Sequence, residues 1–294
     1  MPMKTLLLAA VLFITALTVS AQVKPFKFEG AKRKYLLYLP ESYQPNPSQS
    51  FPLVFNFHGG GMTVAEQMFY SRMNEAAEKH NFIVVYPAGV NQDWNVGFDM
   101  SYQKGTNDIG YIKALLDTLK RQYRIDQKAV FATGLSRGGF FCHRLAAEMP
   151  EAFAAIASVG GPLPDSVKYF HKNPGQVSMM QVHGTADEVV KYDGKATGYA
   201  SADSTFHYWM ERNRLSGKKE TKQVLNANKK DSTSVIIREV SDKNASVALV
   251  TIENGGHTWP GSDSFNIGYP LGHTTKEIDI NDTIWRFFAK NKKR

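Results

Sequence analysis

Ala129-Val130-Phe131-Ala132-Thr133 runs directly into Gly134-Leu135-Ser136-Arg137-Gly138-Gly139. A short strand-like stretch leads into a Gly-x-Ser-x-Gly pattern. Arg137 to Glu148 then reads as a helix that ends before Pro150. A serine between such a strand and such a helix sits on a sharp turn, with its hydroxyl at the C-terminal edge of a sheet. Glycine flanks suit that turn, because side chains there would collide where strand and helix converge. The helix N-terminus beyond Ser136 favours developing negative charge. Chance supplies about 0.1 such matches in a chain with this glycine and serine content, so the strand-to-helix context carries the weight. The bland alternative is a glycine-rich turn with an idle serine.

Working outward, Tyr35 to Leu39 is a strand stopped by Pro40. Pro52 to Phe57 is another, ending in His58-Gly59-Gly60-Gly61. Val64 to Lys79 has helical spacing, and Phe82 to Tyr86 reads as a buried strand. Asp108 to Tyr123 is an amphipathic helix with Ile109, Ile112, Leu115, Leu116 and Leu119 on one face. Beyond Pro150, strands are expected at Ala154–Val159, Ser178–Val182, Thr233–Val240 and Val247–Ile252. Helices are expected at Ser204–Leu215 and Ile278–Ala289. Phe206, Tyr208 and Trp209 of the first of these are read as packing rather than a lid. Strands alternating with helices predict an α/β protein whose mostly parallel sheet has helices on both faces. No Pro/Ser-rich linker divides the chain, so residues 22–294 read as one domain.

With 294 residues, 43% hydrophobic and 21% charged, the chain has an ordinary globular composition, which argues against global disorder. Its single cysteine, Cys142, excludes an intrachain disulfide and a cysteine-built zinc site. Lys4 followed by an apolar run from Leu6 to Val19 and then Val19-Ser20-Ala21 reads as a leader cleaved after Ala21. Residues 1–21 are therefore expected to be an export signal, the protein secreted or periplasmic, and no stable membrane anchor to remain. The net charge is +8, but its basic residues are scattered in short clusters such as Lys32-Arg33-Lys34. No aromatic-basic platform suggests nucleic acid as a partner. Asn244-Ala245-Ser246 and Asn281-Asp282-Thr283 match glycosylation sequons, a pattern frequent by chance.

A serine hydroxyl needs a base, and the base needs an orienting acid. Asp187 in His183-Gly184-Thr185-Ala186-Asp187 and His257 in Gly255-Gly256-His257-Thr258-Trp259 each follow an expected strand. The order Ser136, Asp187, His257 is that of α/β-hydrolases. Glu188 and Asp193 are rival acids, and His183 and His273 rival bases. His183 is expected to order its own loop and His273 to lie at a rim. The glycines after His58 suit an oxyanion loop, with donors expected from the N–H groups of Gly60 and Arg137. The Arg137 side chain is expected in solvent or a local ion pair. The histidine spacings match no compact metal motif, and no nucleotide-binding fingerprint is present. Trp94, Phe98, Tyr102 and Trp259 lie in expected loops. Trp94 and Trp259 are the candidate substrate-binding aromatics, with core packing as the equal alternative for each.

Five segments together carry a family resemblance: Phe55-Asn56-Phe57-His58-Gly59-Gly60-Gly61, Asn107-Asp108-Ile109-Gly110-Tyr111, Gly134-Leu135-Ser136-Arg137-Gly138-Gly139, His183-Gly184-Thr185-Ala186-Asp187 and Gly256-His257-Thr258-Trp259-Pro260-Gly261. The chain resembles the secreted polyhydroxybutyrate depolymerase/feruloyl esterase group, which overlaps carbohydrate esterase family 1, from about Phe26 to the C-terminus. The resemblance implies an α/β-hydrolase fold, a Ser136–His257–Asp187 triad and cofactor-free hydrolysis of carboxylic esters. Some relatives carry cysteines near Trp94-Asn95-Val96-Gly97-Phe98. This chain has none there, so that segment must be ordered in another way. The expected substrate is an esterified plant polysaccharide or its oligosaccharides, losing feruloyl or acetyl groups. Short 3-hydroxybutyrate esters are the alternative. A catalytically silent carbohydrate-binding relative is the alternative of another class.

Overall fold

A computed structural model describes residues 21–44, 47–227, 230–265 and 270–294. The expected leader, up to Ser20, lies outside the described residues. In chain order the elements are β1 (Gln22–Phe28), β2 (Ala31–Tyr38), β3 (Phe51–Phe57), α1 (Val64–Ser71), α2 (Met73–His80), β4 (Ile83–Pro87), α3 (Asp108–Gln122), β5 (Ile125–Leu135), α4 (Arg137–Glu148) and β6 (Ala155–Val159). There follow α5 (Asp165–Phe170), β7 (Ser178–Gly184), α6 (Ala202–Arg212), β8 (Glu220–Leu225), β9 (Ser234–Ser241), β10 (Ser246–Glu253) and α7 (Ile280–Lys290).

All ten strands join one sheet in the order β1-β2-β4-β3-β5-β6-β7-β10-β9-β8. From β4 to β10 the neighbours run parallel. Antiparallel strands close both edges. The alternation along each central strand explains its two-sided burial. In β5, Val130 and Ala132 face a layer containing Tyr111, Leu115, Phe141, Leu145, Phe206 and Trp209 of α3, α4 and α6. Ala129 and Phe131 face the opposite layer, with Met73 and Ala77 of α2 and Ile284, Phe287 and Phe288 of α7. Period-two strands with apolar residues on both faces need such a double covering to leave water. The helices on both faces agree with the sequence expectation, and α6 packs Phe206 and Trp209 fully into the core.

Three departures have physical reasons. The helix expected over Val64–Lys79 is two helices, because Arg72 adopts the left-handed conformation (φ 51°) and breaks the hydrogen-bond ladder. Thr63 and Glu66 start α1 with reciprocal bonds, Thr63 N–H to Glu66 Oε2 at 2.6 Å and Glu66 N–H to Thr63 Oγ1 at 3.2 Å. The edge strands β1 and β8 were not expected, since both are largely exposed and lack an apolar run. The short helix α5 was likewise unexpected. Among the described residues, no helix is long and apolar enough to cross a membrane.

Candidate active site

Ser136 occupies the turn between β5 and α4 with φ 53° and ψ −117°, a strained conformation for a residue bearing a Cβ. Its surroundings enforce it. A Cβ on Gly134 would lie 2.7 Å from the Gly138 carbonyl carbon, and one on Gly138 only 2.3 Å from Phe57 O. The turn can form only because both positions are glycine. The Ser136 N–H donates to Val159 O at 2.7 Å, pinning the turn to the end of β6. Its side chain does not cap α4, so the hydroxyl is not committed to the backbone.

Asp187 and His257 meet at the ends of β7 and β10. His257 Nδ1 lies 2.7 Å from Asp187 Oδ2, with both side chains buried. Their loops are packed backbone on backbone: a Cβ on Gly184 would lie 2.2 Å from Gly255 O. Asp187 Oδ1 accepts the N–H groups of Val189 and Val190 at 2.9 and 2.8 Å. Burial pushes the Asp187 pKa up, but hydrogen bonds and charge from His183 and His257 outweigh it and hold the carboxyl well below its usual range. The carboxylate is thus ionised and accepts from Nδ1–H, which leaves Nε2 outside this bond. The Gly160-Gly161 turn touches both halves of the site. A Cβ on Gly160 would be 3.0 Å from His257 Cε1, and one on Gly161 would be 2.5 Å from Ser136 O.

The rivals fall elsewhere. Glu188 is exposed and pairs with Lys191, and Asp193 is exposed. The His273 ring is exposed too, while its carbonyl accepts the Gly256 N–H at 2.9 Å. His183 does order its loop. Its Nε2–H donates to Val190 O at 2.8 Å and approaches Asp187 Oδ2 at 3.4 Å.

His58 is buried, and its role was not visible in the sequence. Its Nε2 accepts the Gly89 N–H at 3.0 Å, so Nδ1 carries the proton and donates to Gly59 O at 2.8 Å. Burial lowers its pKa to about 4, which keeps the ring neutral. Met62 N–H also reaches Gly59 O, at 3.1 Å. In a trans peptide, holding that carbonyl turns the Gly60 N–H to the opposite side. Among the described residues, the N–H groups of Gly60 and Arg137 have no backbone acceptor. The Arg137 side chain forms the local ion pair, with Nε 2.9 Å from Asp93 Oδ1.

The two candidate substrate aromatics require correction. Trp94 is fully buried, stacked on Phe141 with ring centroids 4.9 Å apart, and its Nε1–H donates to His58 O at 3.1 Å. Trp259 is fully buried, with Nε1–H donating to Asn281 Oδ1 at 3.1 Å. Both anchor loops from beneath and present no surface to a ligand. Tyr102 is also buried, under the Arg144 guanidinium. Phe98 alone of the four stays half-exposed, flanked by Phe140 and the Arg137 guanidinium. Asn281 is buried with both amide atoms bonded, so the folded chain offers no glycan acceptor there. Asn244 is exposed.

The segment that lacks relatives' cysteines is held by polar contacts instead. Asn95 Nδ2 donates to the carbonyls of Ser101, Tyr102 and Thr106 at 3.1–3.3 Å. The Arg144 guanidinium donates to Asn95 O and Tyr102 O at 2.7 and 3.0 Å. Asp108, from the second of the five motifs, is fully buried. It accepts from Asn95 N–H and Thr106 Oγ1, both at 2.8 Å, and pairs with Arg33 at 2.7 Å.

Known proteins resemble this chain over much of its length. The esterase family, described as "Putative esterase", matches residues 28–260. "Putative esterase NocK" of Nocardia uniformis is 27% identical over 88% of this chain and 79% of its own. "Probable feruloyl esterase C" of Aspergillus clavatus is 28% identical over 65% of this chain and 72% of its own. The bifunctional acetylxylan esterase/xylanase XynS20E of Neocallimastix patriciarum is 30% identical, over 56% of this chain and 23% of that longer protein. Among solved structures, an acetyl xylan esterase from Aspergillus awamori superposes with a TM-score of 0.62 at 16% identity, covering 92% of this chain and 99% of its own. That similarity speaks for the fold alone. The chain belongs to the esterase family, and is a carboxylic ester hydrolase built on the α/β-hydrolase fold.

Proposed function

We propose that the chain is an exported serine esterase that removes feruloyl or acetyl groups from plant cell-wall polysaccharide through an acyl-enzyme. The observation that carries the catalytic part is the buried Asp187–His257 pair at 2.7 Å, which borders the Gly160-Gly161 turn that also packs against the backbone of the strained Ser136. In this reading His257 Nε2 takes the Ser136 hydroxyl proton as Oγ attacks the ester carbonyl. Asp187 remains ionised, fixes the imidazole tautomer and stabilises the imidazolium. The Gly60 and Arg137 N–H groups hold the oxyanion; removing one such donor typically costs about 3–4 kcal/mol of transition-state stabilisation. His257 returns its proton to the departing alcohol. It then deprotonates the water that attacks the acyl-enzyme, and Ser136 recovers its proton as the acid leaves. The substrate class draws on the feruloyl and acetylxylan esterases among the relatives. Export draws on the leader-like residues 1–21.

The test is initial hydrolysis rates on methyl ferulate, acetylated xylan and a 3-hydroxybutyrate oligomer, with Ser136→Ala as control. Ser136-dependent turnover, fastest on one of the first two, is expected. Preference for the hydroxybutyrate ester would replace the substrate class. Turnover that survives Ser136→Ala would overturn the triad. No turnover and no labelling of Ser136 by a fluorophosphonate would indicate a silent relative.

A further inference from the structure

The loop after β4 does more than connect. Val90 and Asp93 pair as an antiparallel bridge, with Asp93 N–H donating to Val90 O at 3.0 Å. The two residues between them, Asn91 (φ 51°) and Gln92 (φ 59°), are both left-handed. That is the signature of a tight primed turn, adopted here without glycine and so with strain at each residue. Three contacts follow from this conformation. Gln92 O accepts the Gly61 N–H at 2.9 Å, the Gly89 N–H donates to His58 Nε2 at 3.0 Å, and Asp93 Oδ1 lies 2.9 Å from Arg137 Nε. A Cβ placed on Gly60 would be 3.7 Å from Arg137 Cβ and 4.0 Å from Asp93 Oδ1. The glycine loop, the turn and the start of α4 therefore meet at one point.

We infer that the Arg137–Asp93 ion pair is a brace that sets the spacing of the two oxyanion donors, so that both side chains are positioning residues of the esterase reaction. The inference rests on the proposed roles of the Gly60 and Arg137 N–H groups. One donor belongs to the residue whose side chain reaches the turn, and the other to the loop that the same turn holds through Gly61. The pair closes this circuit. Its side chains are 20% and 28% exposed, so it is less screened by salt than a surface pair. The guanidinium is confined further by the Phe98 ring, 5.0 Å from Cζ, and by Asp99, 3.7 Å from Nη2. Its Nη1 is buried without a partner. Oxyanion donors act only within a few tenths of an ångström of their working distance. Loss of either charged group leaves both N–H groups present but free to drift.

The experiment compares the parent protein with Arg137→Met, Asp93→Asn, the double variant and Arg137→Lys, on 4-nitrophenyl acetate and methyl ferulate. Each of the two neutralising variants is expected to lose about tenfold in kcat with KM within twofold. The double variant is expected to be no worse than the worse single one, and Arg137→Lys to recover most of the loss. The brace is overturned if both single variants keep kcat within twofold, if the losses multiply in the double variant, or if KM takes the change. Near-UV circular dichroism checks folding; should Arg137→Met fail to fold, Asp93→Asn carries the same test. Ser136→Ala separates the two claims. Persisting turnover in that variant overturns the triad and the brace with it, whereas Ser136-dependent turnover with unaffected variants overturns the brace alone.

Discussion

His183 and His257 direct a ring nitrogen at the same oxygen of Asp187, at 3.4 and 2.7 Å respectively. The shorter contact orients the His257 ring. The longer one comes from a ring whose principal bond is to Val190 O, three residues beyond the carboxylate. His183 thus ties down both the Asp187 carboxylate and the loop that carries it.

His183→Phe keeps a planar ring and removes the contacts with Asp187, Val190 and Gln181. A net hydrogen bond is worth about 1–1.5 kcal/mol, so kcat should fall on the order of tenfold. His183→Gln, which keeps a donor, should lose less. Steady-state kinetics on both variants, with thermal melts to show that each is folded, decide this. Equal activity of His183→Phe and the parent would remove His183 from the argument.

Gly138→Ala should be far more damaging than its size suggests. The new methyl would sit 2.3 Å from Phe57 O and 2.7 Å from His58 O, both backbone atoms. The start of α4 and the His58 backbone must then part. The expected cost is about 3 kcal/mol, at the upper end for overpacking, with a fall in melting temperature of roughly 5 °C or more. Calorimetry checks the stability, and a parallel loss of kcat should accompany it.

Acid should destabilise the protein before its carboxylates titrate. His58 and His143 are buried and neutral, with pKa values lowered to about 4 by burial. In the unfolded chain they titrate near 6.5. Between these values the unfolded state binds more protons, so stability is intact above pH 6.5 and is lost as pH falls toward 4. Each ring contributes a loss of about 3 kcal/mol at most. Asp187, whose pKa is depressed, adds a loss only below the ordinary carboxyl range. Urea midpoints should therefore drop between pH 7 and pH 4.5. A flat profile over that interval would contradict the buried neutral state of both rings.

What was legible in the sequence was whatever steric necessity writes into residue type. The turn at Ser136 admits only glycine at 134 and 138, so its pattern is visible. The inward stripe of α3, from Ile112 to Leu119, is likewise a period that burial imposes. Chain order brought Asp187 and His257 forward over their rivals, and the folded chain places these two together. Aromatic character, by contrast, is silent about direction. Trp94 and Trp259 have the composition of a binding wall and the location of a core. The Val90–Asp93 turn escaped notice because Asn91 and Gln92 carry no glycine to announce left-handed backbone. The break at Arg72 escaped for the same reason, within an otherwise continuous helical period.

The network around Asn95, Arg144 and Asp108 does by hydrogen bonding what a covalent crosslink would do. Cys142 is the chain's single cysteine, and it is buried. Closing this segment therefore requires no oxidant, no isomerase and no search among pairings. The fold is as accessible under thiol-reducing conditions as under oxidising ones. Its weak point is a single side chain instead: loss of the Asp108 carboxylate would release Arg33, Asn95 and Thr106 in one step.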